Sequence, residues 1–120
     1  MTIRTIQHNA VTLARVESET VLITDTESAL DLMATVQYQT QSRCLIVDSN
    51  AFDARFFDLK TRLAGDILQK FVTYQVKLAI IGDFSIYSSK SLQDCIRESN
   101  QGRDIFFVRD EREAIAKLSR

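Results

Sequence analysis

The side chains that could do chemistry fall in three short stretches. Asp48, Ser49 and Asn50 close one apolar run, Gly82, Asp83 and Ser85 close a second, and Arg109 with Asp110 closes a third. Aspartates set side by side at such ends could hold Mg²⁺ or exchange a proton with a substrate. The same residue types cap helices and tie turns, and that plainer reading comes first. Ser85, Ser88, Ser89, Lys90 and Ser91 form a hydroxyl-rich helix entry. Free backbone N–H groups there, with the Lys90 charge, could attract an anion. Gly82 has neither GxGxxG nor GxxxxGK[ST] spacing around it, so ordinary capping is again the first reading.

Other chemistries find less support. His8 is the one histidine, too few for a histidine-based zinc site, and no GxSxG elbow is present. Cys44 and Cys95 form no CxxC motif; one opens an apolar run and the other lies in a helical pattern, so both read as packed thiols. The Phe56-Phe57 and Phe106-Phe107 pairs read as core rather than as base-stacking platforms. The sequence calls for no cofactor and no metal.

These residues need elements to position them. The stretch Phe56 to Tyr74 carries apolar residues at Phe56, Leu59, Leu63, Ile67 and Phe71, steps of three and four that predict a helix of about five turns. Cys44–Val47 and Val76–Ile81 flank it as buried strands, making a βαβ unit with a parallel pair. Upstream, Ile3–Asn9 and Val11–Glu17 predict an antiparallel hairpin with one buried face, turning at Asn9-Ala10. Val21-Leu22-Ile23 is either a strand or a docking segment. Thr24 and Glu27 fit a capping box for a helix from Asp25 to about Tyr38. Downstream, Ser88 or Ser89 starts a helix with Leu92, Cys95 and Ile96 inward, ended by Asn100-Gln101-Gly102. Asp104–Val108 is the last strand. Asp110 and Glu113 cap a short terminal helix. The order β-β-α-β-α-β-α-β-α predicts one α/β domain over residues 1–120, with a single mixed sheet of four to five strands and about four helices. In such sheets ligands bind beyond the carboxyl ends of the strands, where the first three stretches fall.

Composition sets bounds. The chain has 120 residues, 45% of them hydrophobic, enough for one core. Its 15 Lys and Arg against 16 Asp and Glu give a net charge of -1, without the basic excess usual in nucleic-acid binders, although a local patch stays open. The start, MTIRTIQHN, has no signal-like apolar run, and no stretch reaches the roughly 20 apolar residues of a membrane span. The expectation is a cytoplasmic protein that contacts neither nucleic acid nor membrane.

Two resemblances follow from these segments. VLITDTESALDLMATVQY, FFDLKTRLAGDILQKF, KLAIIGDF and SKSLQDCIRESNQG together resemble a bacterial family catalogued as domain of unknown function 4180, over nearly the whole chain. That likeness brings no activity with it. The element order is similar to that of STAS domains, the anti-sigma-factor-antagonist class, small modules that bind partner proteins. Their switch is a serine phosphorylated at the entry to the helix after the central strand, in a motif like Asp-Ser-Ser-Gly. The corresponding stretch here is Asp58-Leu59-Lys60-Thr61. Asp58 matches, but Leu59 and Lys60 stand where the serines would be, leaving Thr61, or Ser49 further upstream, as the hydroxyl. The resemblance implies a regulatory or interaction domain with a protein partner or a second copy of itself, and a phosphate on Thr61 or Ser49 would place charge at a helix entry. The alternative is a small-molecule or anion-binding domain, or a weak enzyme, that uses Asp48, Asp83 and the Ser88–Ser91 helix entry.

Overall fold

Three apolar runs decide the architecture. Leu45-Ile46-Val47, Leu78-Ala79-Ile80 and Ile105-Phe106-Phe107 are buried on both sides, which parallel strands covered by helices require. The computed structural model describes residues 1–120. Its strands are β1 (Thr2–His8), β2 (Val11–Glu17), β3 (Cys44–Asp48), β4 (Lys77–Ile81) and β5 (Ile105–Val108), paired in the order β1-β2-β3-β4-β5. β1 and β2 run antiparallel, and every later pair is parallel. The helices are α1 (Thr26–Thr40), α2 (Leu63–Thr73), α3 (Lys90–Gln101) and α4 (Glu111–Leu118). This is the α/β fold with one mixed sheet, a hairpin and four helices that the sequence predicts.

Each of α1, α2 and α3 is a crossover between neighbouring parallel strands, so a single crossover hand puts all three on one face. There Ala29, Leu32 and Val36 of α1, Ala64, Ile67 and Phe71 of α2 and Leu92 of α3 close over Val47, Leu78, Ile80 and Phe107. The opposite face is covered by α4 alone, whose Ala114 and Leu118 meet Leu13, Cys44, Ile46, Ala79, Phe106 and Val108. The two-residue alternation of each strand sorts its side chains between these cores.

Three local expectations change, and one left open is decided. The hairpin does not bury one face. Ile3 packs against the three-helix core and Ile6 against the α4 core, and Leu13 to Val16 are all buried, because β2 is an inner strand. The cap of α1 lies one residue later than Thr24: the Asp25 carboxylate accepts from the Ser28 N–H at 2.7 Å, and the Asp25 N–H donates to Ser28 Oγ at 3.1 Å. Val21–Ile23 does not join the sheet; Ile23 makes one bridge to Phe52 and is fully buried there.

The largest change is in the stretch Phe56 to Tyr74. Only Leu63–Thr73 is α-helix, and before it come three short 3-10 turns, Ser49–Ala51, Ala54–Phe57 and Leu59–Thr61. Two aspartates start turns instead of a helix. Asp53 accepts from the Arg55 N–H at 2.9 Å and Asp58 from the Lys60 N–H at 3.2 Å. Arg62, at φ 64°, adopts the left-handed conformation, which stops any helix running through it. Phe56 and Phe57 still point inward, into an aromatic cluster. Ring centroids lie 4.6 Å apart for Phe52 and Phe56, 5.0 Å for Phe56 and Phe57, and 5.3 Å for Phe57 and Tyr87.

Sheet edges are treated unequally. β5 is an edge strand, but the Asn100 side-chain amide accepts from the Phe107 N–H at 2.7 Å and donates to the Phe107 carbonyl at 3.1 Å. One side chain of α3 thus stands in for a neighbouring strand and blocks pairing there.

Candidate functional site

The carboxyl ends of β3, β4 and β5 bring the predicted residues to one end of the domain but not to one point. Asp48 leaves β3 on the α4 face. There Arg15 of β2, whose side chain is about nine-tenths buried, holds its carboxylate through Nη2 at 2.9 and 3.1 Å. The same guanidinium donates through Nε to Glu111 of α4 at 3.0 Å and through Nη1 to the Val16 carbonyl at 3.0 Å. Arg4 of β1 completes the array, reaching Glu111 at 2.7 Å and Glu17 at 3.2 Å. Asp48 is therefore one member of a five-charge network that ties β1, β2, β3 and α4 together. The fork of Arg15 engages carboxylates of two different elements, a geometry that lysine could not copy.

Arg15 and Glu111 escaped the sequence reading. The signal was an arginine set among Leu13, Ala14 and Val16 in a strand pattern, an apolar neighbourhood in which a cation needs a built partner.

Ser49 turns away from Asp48 towards β4. A side chain at Gly82 would place its Cβ 2.6 Å from Ser49 Oγ, so the two strand exits touch only because position 82 is glycine. Asp83, next along, caps the turn Phe84–Ile86. Its carboxylate accepts from the Ser85 hydroxyl at 2.6 Å and from the Ser85 N–H at 3.1 Å. These bonds, with the nearby Arg109 charge, hold the Asp83 carboxyl below its ordinary range. Asp83 and Ser85 line an open cleft of about 660 Å³ together with Gln93, Asn100, Arg109 and Glu113. Gln93 and Asn100 are already bonded to backbone groups, and Asp83 and Ser85 to each other, leaving Arg109 and Glu113 as the charged side chains of this cleft without a partner.

Asp58 and Ser89 meet elsewhere. With Leu59, Lys60 and Ser91 they line a second cleft, of about 460 Å³, between the turns that follow β3 and the start of α3. Ser89 caps α3 by accepting from the Leu92 N–H at 3.2 Å. Thr61 lies in the adjoining turn. Its hydroxyl sits 2.8 Å from both the Arg55 and the Asp58 carbonyl oxygens and accepts from the Leu63 N–H at 3.2 Å. Lys90 is engaged with Asp94 at 3.0 Å, one turn along its own helix.

The candidates thus separate into the Arg15 network, a cleft between the β4 and β5 ends, and a cleft beside the Asp58 turn. Asp48 and Asp83 are not a shared acid pair, since each is held by different partners on different elements. No helix is long and apolar enough to cross a membrane. No curated protein and no solved structure matches the chain. A family model does match, over residues 8–118, a span that takes in β2 to α4 and both clefts, and the chain belongs to the family it describes, Domain of unknown function (DUF4180).

Proposed function

We propose that the chain is a non-enzymatic regulatory or protein-interaction module of STAS-like architecture, working in the bacterial cytoplasm and recognising a protein partner through the turns that follow β3. One observation carries this reading. The Ser49–Arg62 connection, longer than most in a compact domain, is built as three consecutive turns instead of a flexible loop or a longer helix. Asp53 and Asp58 tie its backbone, and Phe56 and Phe57 anchor it in the core. Asp58, Lys60, Thr61 and Arg62 are left exposed on a rigid frame. Rigid, polar, irregular surface mounted on a sheet suits recognition, because little order has to be created on binding. A phosphate on Thr61 would remove the hydroxyl's bonds to the Arg55 and Asp58 carbonyls and set negative charge beside Asp58, so the turn would reopen.

A second reading has its own observation. The cleft of about 660 Å³ at the β4 and β5 ends gathers Asp83, Ser85, Arg109 and Glu113 around a concave surface, as a small polar ligand or anion would require. Capture from a bacterial lysate on immobilised protein, with mass spectrometry of retained proteins and small molecules, separates the two. A protein retained by wild type and lost with Asp58→Lys and with Thr61→Glu supports the interaction reading. A metabolite retained through both changes but lost with Arg109→Ala moves the function to the cleft and sinks the first reading. Retention of neither points to self-association, checked by light scattering.

A further inference from the structure

The opposite end of the sheet carries a different site. On the α4 face, at the amino ends of β4 and β5, a cleft of about 440 Å³ is lined by Lys77, Arg103, Lys117 and Arg120, with Phe106 its one hydrophobic residue and no acidic side chain. These cations come from β4, the α3–β5 connection and the end of α4, so the fold and not local sequence brings them together. None of the four is in an ion pair. Their frame is firm. Lys77 is in β4, with its N–H bonded to the Arg43 carbonyl at 2.7 Å, and the Arg120 guanidinium stacks 5.6 Å from the Phe106 ring centroid.

Four like charges converging on a concavity repel one another unless an anion enters. The shape and lining say which kind. Phe106 is buried and already covered by Arg120, so the cleft offers no stacking platform and little apolar wall. Two arginine forks and two lysine ammonium groups match the oxygens of linked phosphates. We propose that this cleft binds a small polyanion through a chain of two or three phosphate groups. This inference concerns the end remote from the turns after β3 and does not depend on how they function.

The test is calorimetric titration of the full chain with pyrophosphate, tripolyphosphate, ATP and adenosine, repeated with Arg103→Glu and with Lys117→Glu. Arg103 is exposed and Lys117 half-buried, and circular dichroism verifies folding of both variants. Tripolyphosphate should bind the wild type, lose about tenfold in affinity with either charge reversal, and weaken as salt is raised. Arg112→Glu, which changes charge equally outside the cleft, should leave affinity within about twofold. Equal binding of ATP and tripolyphosphate with adenosine silent assigns recognition to the phosphate chain from either source; binding of ATP alone assigns it to a nucleotide-borne chain. Absence of tripolyphosphate and ATP binding, or binding that survives both reversals unchanged, would overturn the proposal.

Discussion

The two ends of the sheet are built by opposite rules. At the carboxyl ends, aspartates do structural work: Asp25, Asp53, Asp58, Asp83 and Asp110 each cap a helix or turn, and Asp48 is clamped by Arg15. At the amino ends, caps are scarce and the chain turns through left-handed residues instead, Asn9, Ala10, Gln41 and Gln75, none of them glycine. The acidic caps follow from the helix starts, which lie at the carboxyl ends of the strands. The carboxyl end thus has its aspartates Asp25, Asp48, Asp53, Asp58, Asp83 and Asp110 engaged within the fold, while the amino end keeps Lys77, Arg103, Lys117 and Arg120 out of ion pairs. Acidic residues gathered at strand ends look like a site and serve mainly as scaffold; scattered cations look like ordinary surface and form a cleft that no acidic side chain lines.

The largest expected effect is at the carboxyl end. Phe56→Ala should cost about 3–5 kcal/mol, since Phe56 is fully buried and its ring packs tilted against Phe52 and edge-to-face against Phe57. Tyr38→Ala on the last turn of α1 at the amino end, with Tyr38 86% exposed, should stay within about 0.5 kcal/mol. Urea unfolding measures both, and similar costs for the two would erase the contrast. Next comes Arg15→Ala, which leaves Asp48 without its cation and Glu111 with Arg4 alone. A cost of about 2–3 kcal/mol is expected, below the usual range for breaking a buried pair because both carboxylates are about one-third exposed. Adding Asp48→Ala should recover part of the loss; strict additivity would mean that the clamp is not an energetic unit.

Much of the carboxyl-end scaffold was legible, and the reasons are local. β3 and β4 announce themselves as continuous apolar runs, and Asp110 with Glu113 marks the α4 cap within four residues of chain. The turns after β3 were not legible from periodicity. Phe56, Leu59 and Leu63 have helical spacing, but the same steps arise when successive 3-10 turns fold over an aromatic cluster. The distinguishing signal was the pair of aspartates set two residues before Arg55 and Lys60, whose caps compete with helix. The Asp48 clamp needs a partner 33 residues away, and the amino-end cleft draws on three separate segments. A net charge of -1 conceals such a cleft because it sums over both ends.

The amino end can be sharpened by stabilising it. Ala10, at φ 63°, occupies the second position of the hairpin turn, where a Cβ is strained by about 1–2 kcal/mol. Ala10→Gly removes that strain but adds freedom to the unfolded chain, so a net gain of about 0.5–1 kcal/mol is expected. Thermal unfolding should rise by a few degrees. A fall would show that the left-handed turns of this end are held by contacts that outweigh their strain.

The smallest effect is a difference in which side of neutrality each end fails. Asp25, Asp53 and Asp83 all have folded pKa values below the ordinary 3.8, held there chiefly by hydrogen bonds from Ser28, Arg55 and Ser85. A depressed folded value means that the unfolded chain takes up protons first. The stabilisation is complete above the unfolded pKa and is lost as pH falls through the folded values, so the acid limb belongs below about pH 4. Cys44, at the amino end of β3, runs the other way. Burial raises its thiol above the ordinary 9.0, with Lys77 opposing, so its contribution is complete below the unfolded pKa and is lost as pH rises through the folded one. Urea unfolding across pH should therefore show Asp83→Asn flattening the acid limb and Cys44→Ala flattening the alkaline limb, each without touching the other. A wild-type decline already between pH 7 and pH 5 would place the linkage on other groups and dissolve this distinction between the ends.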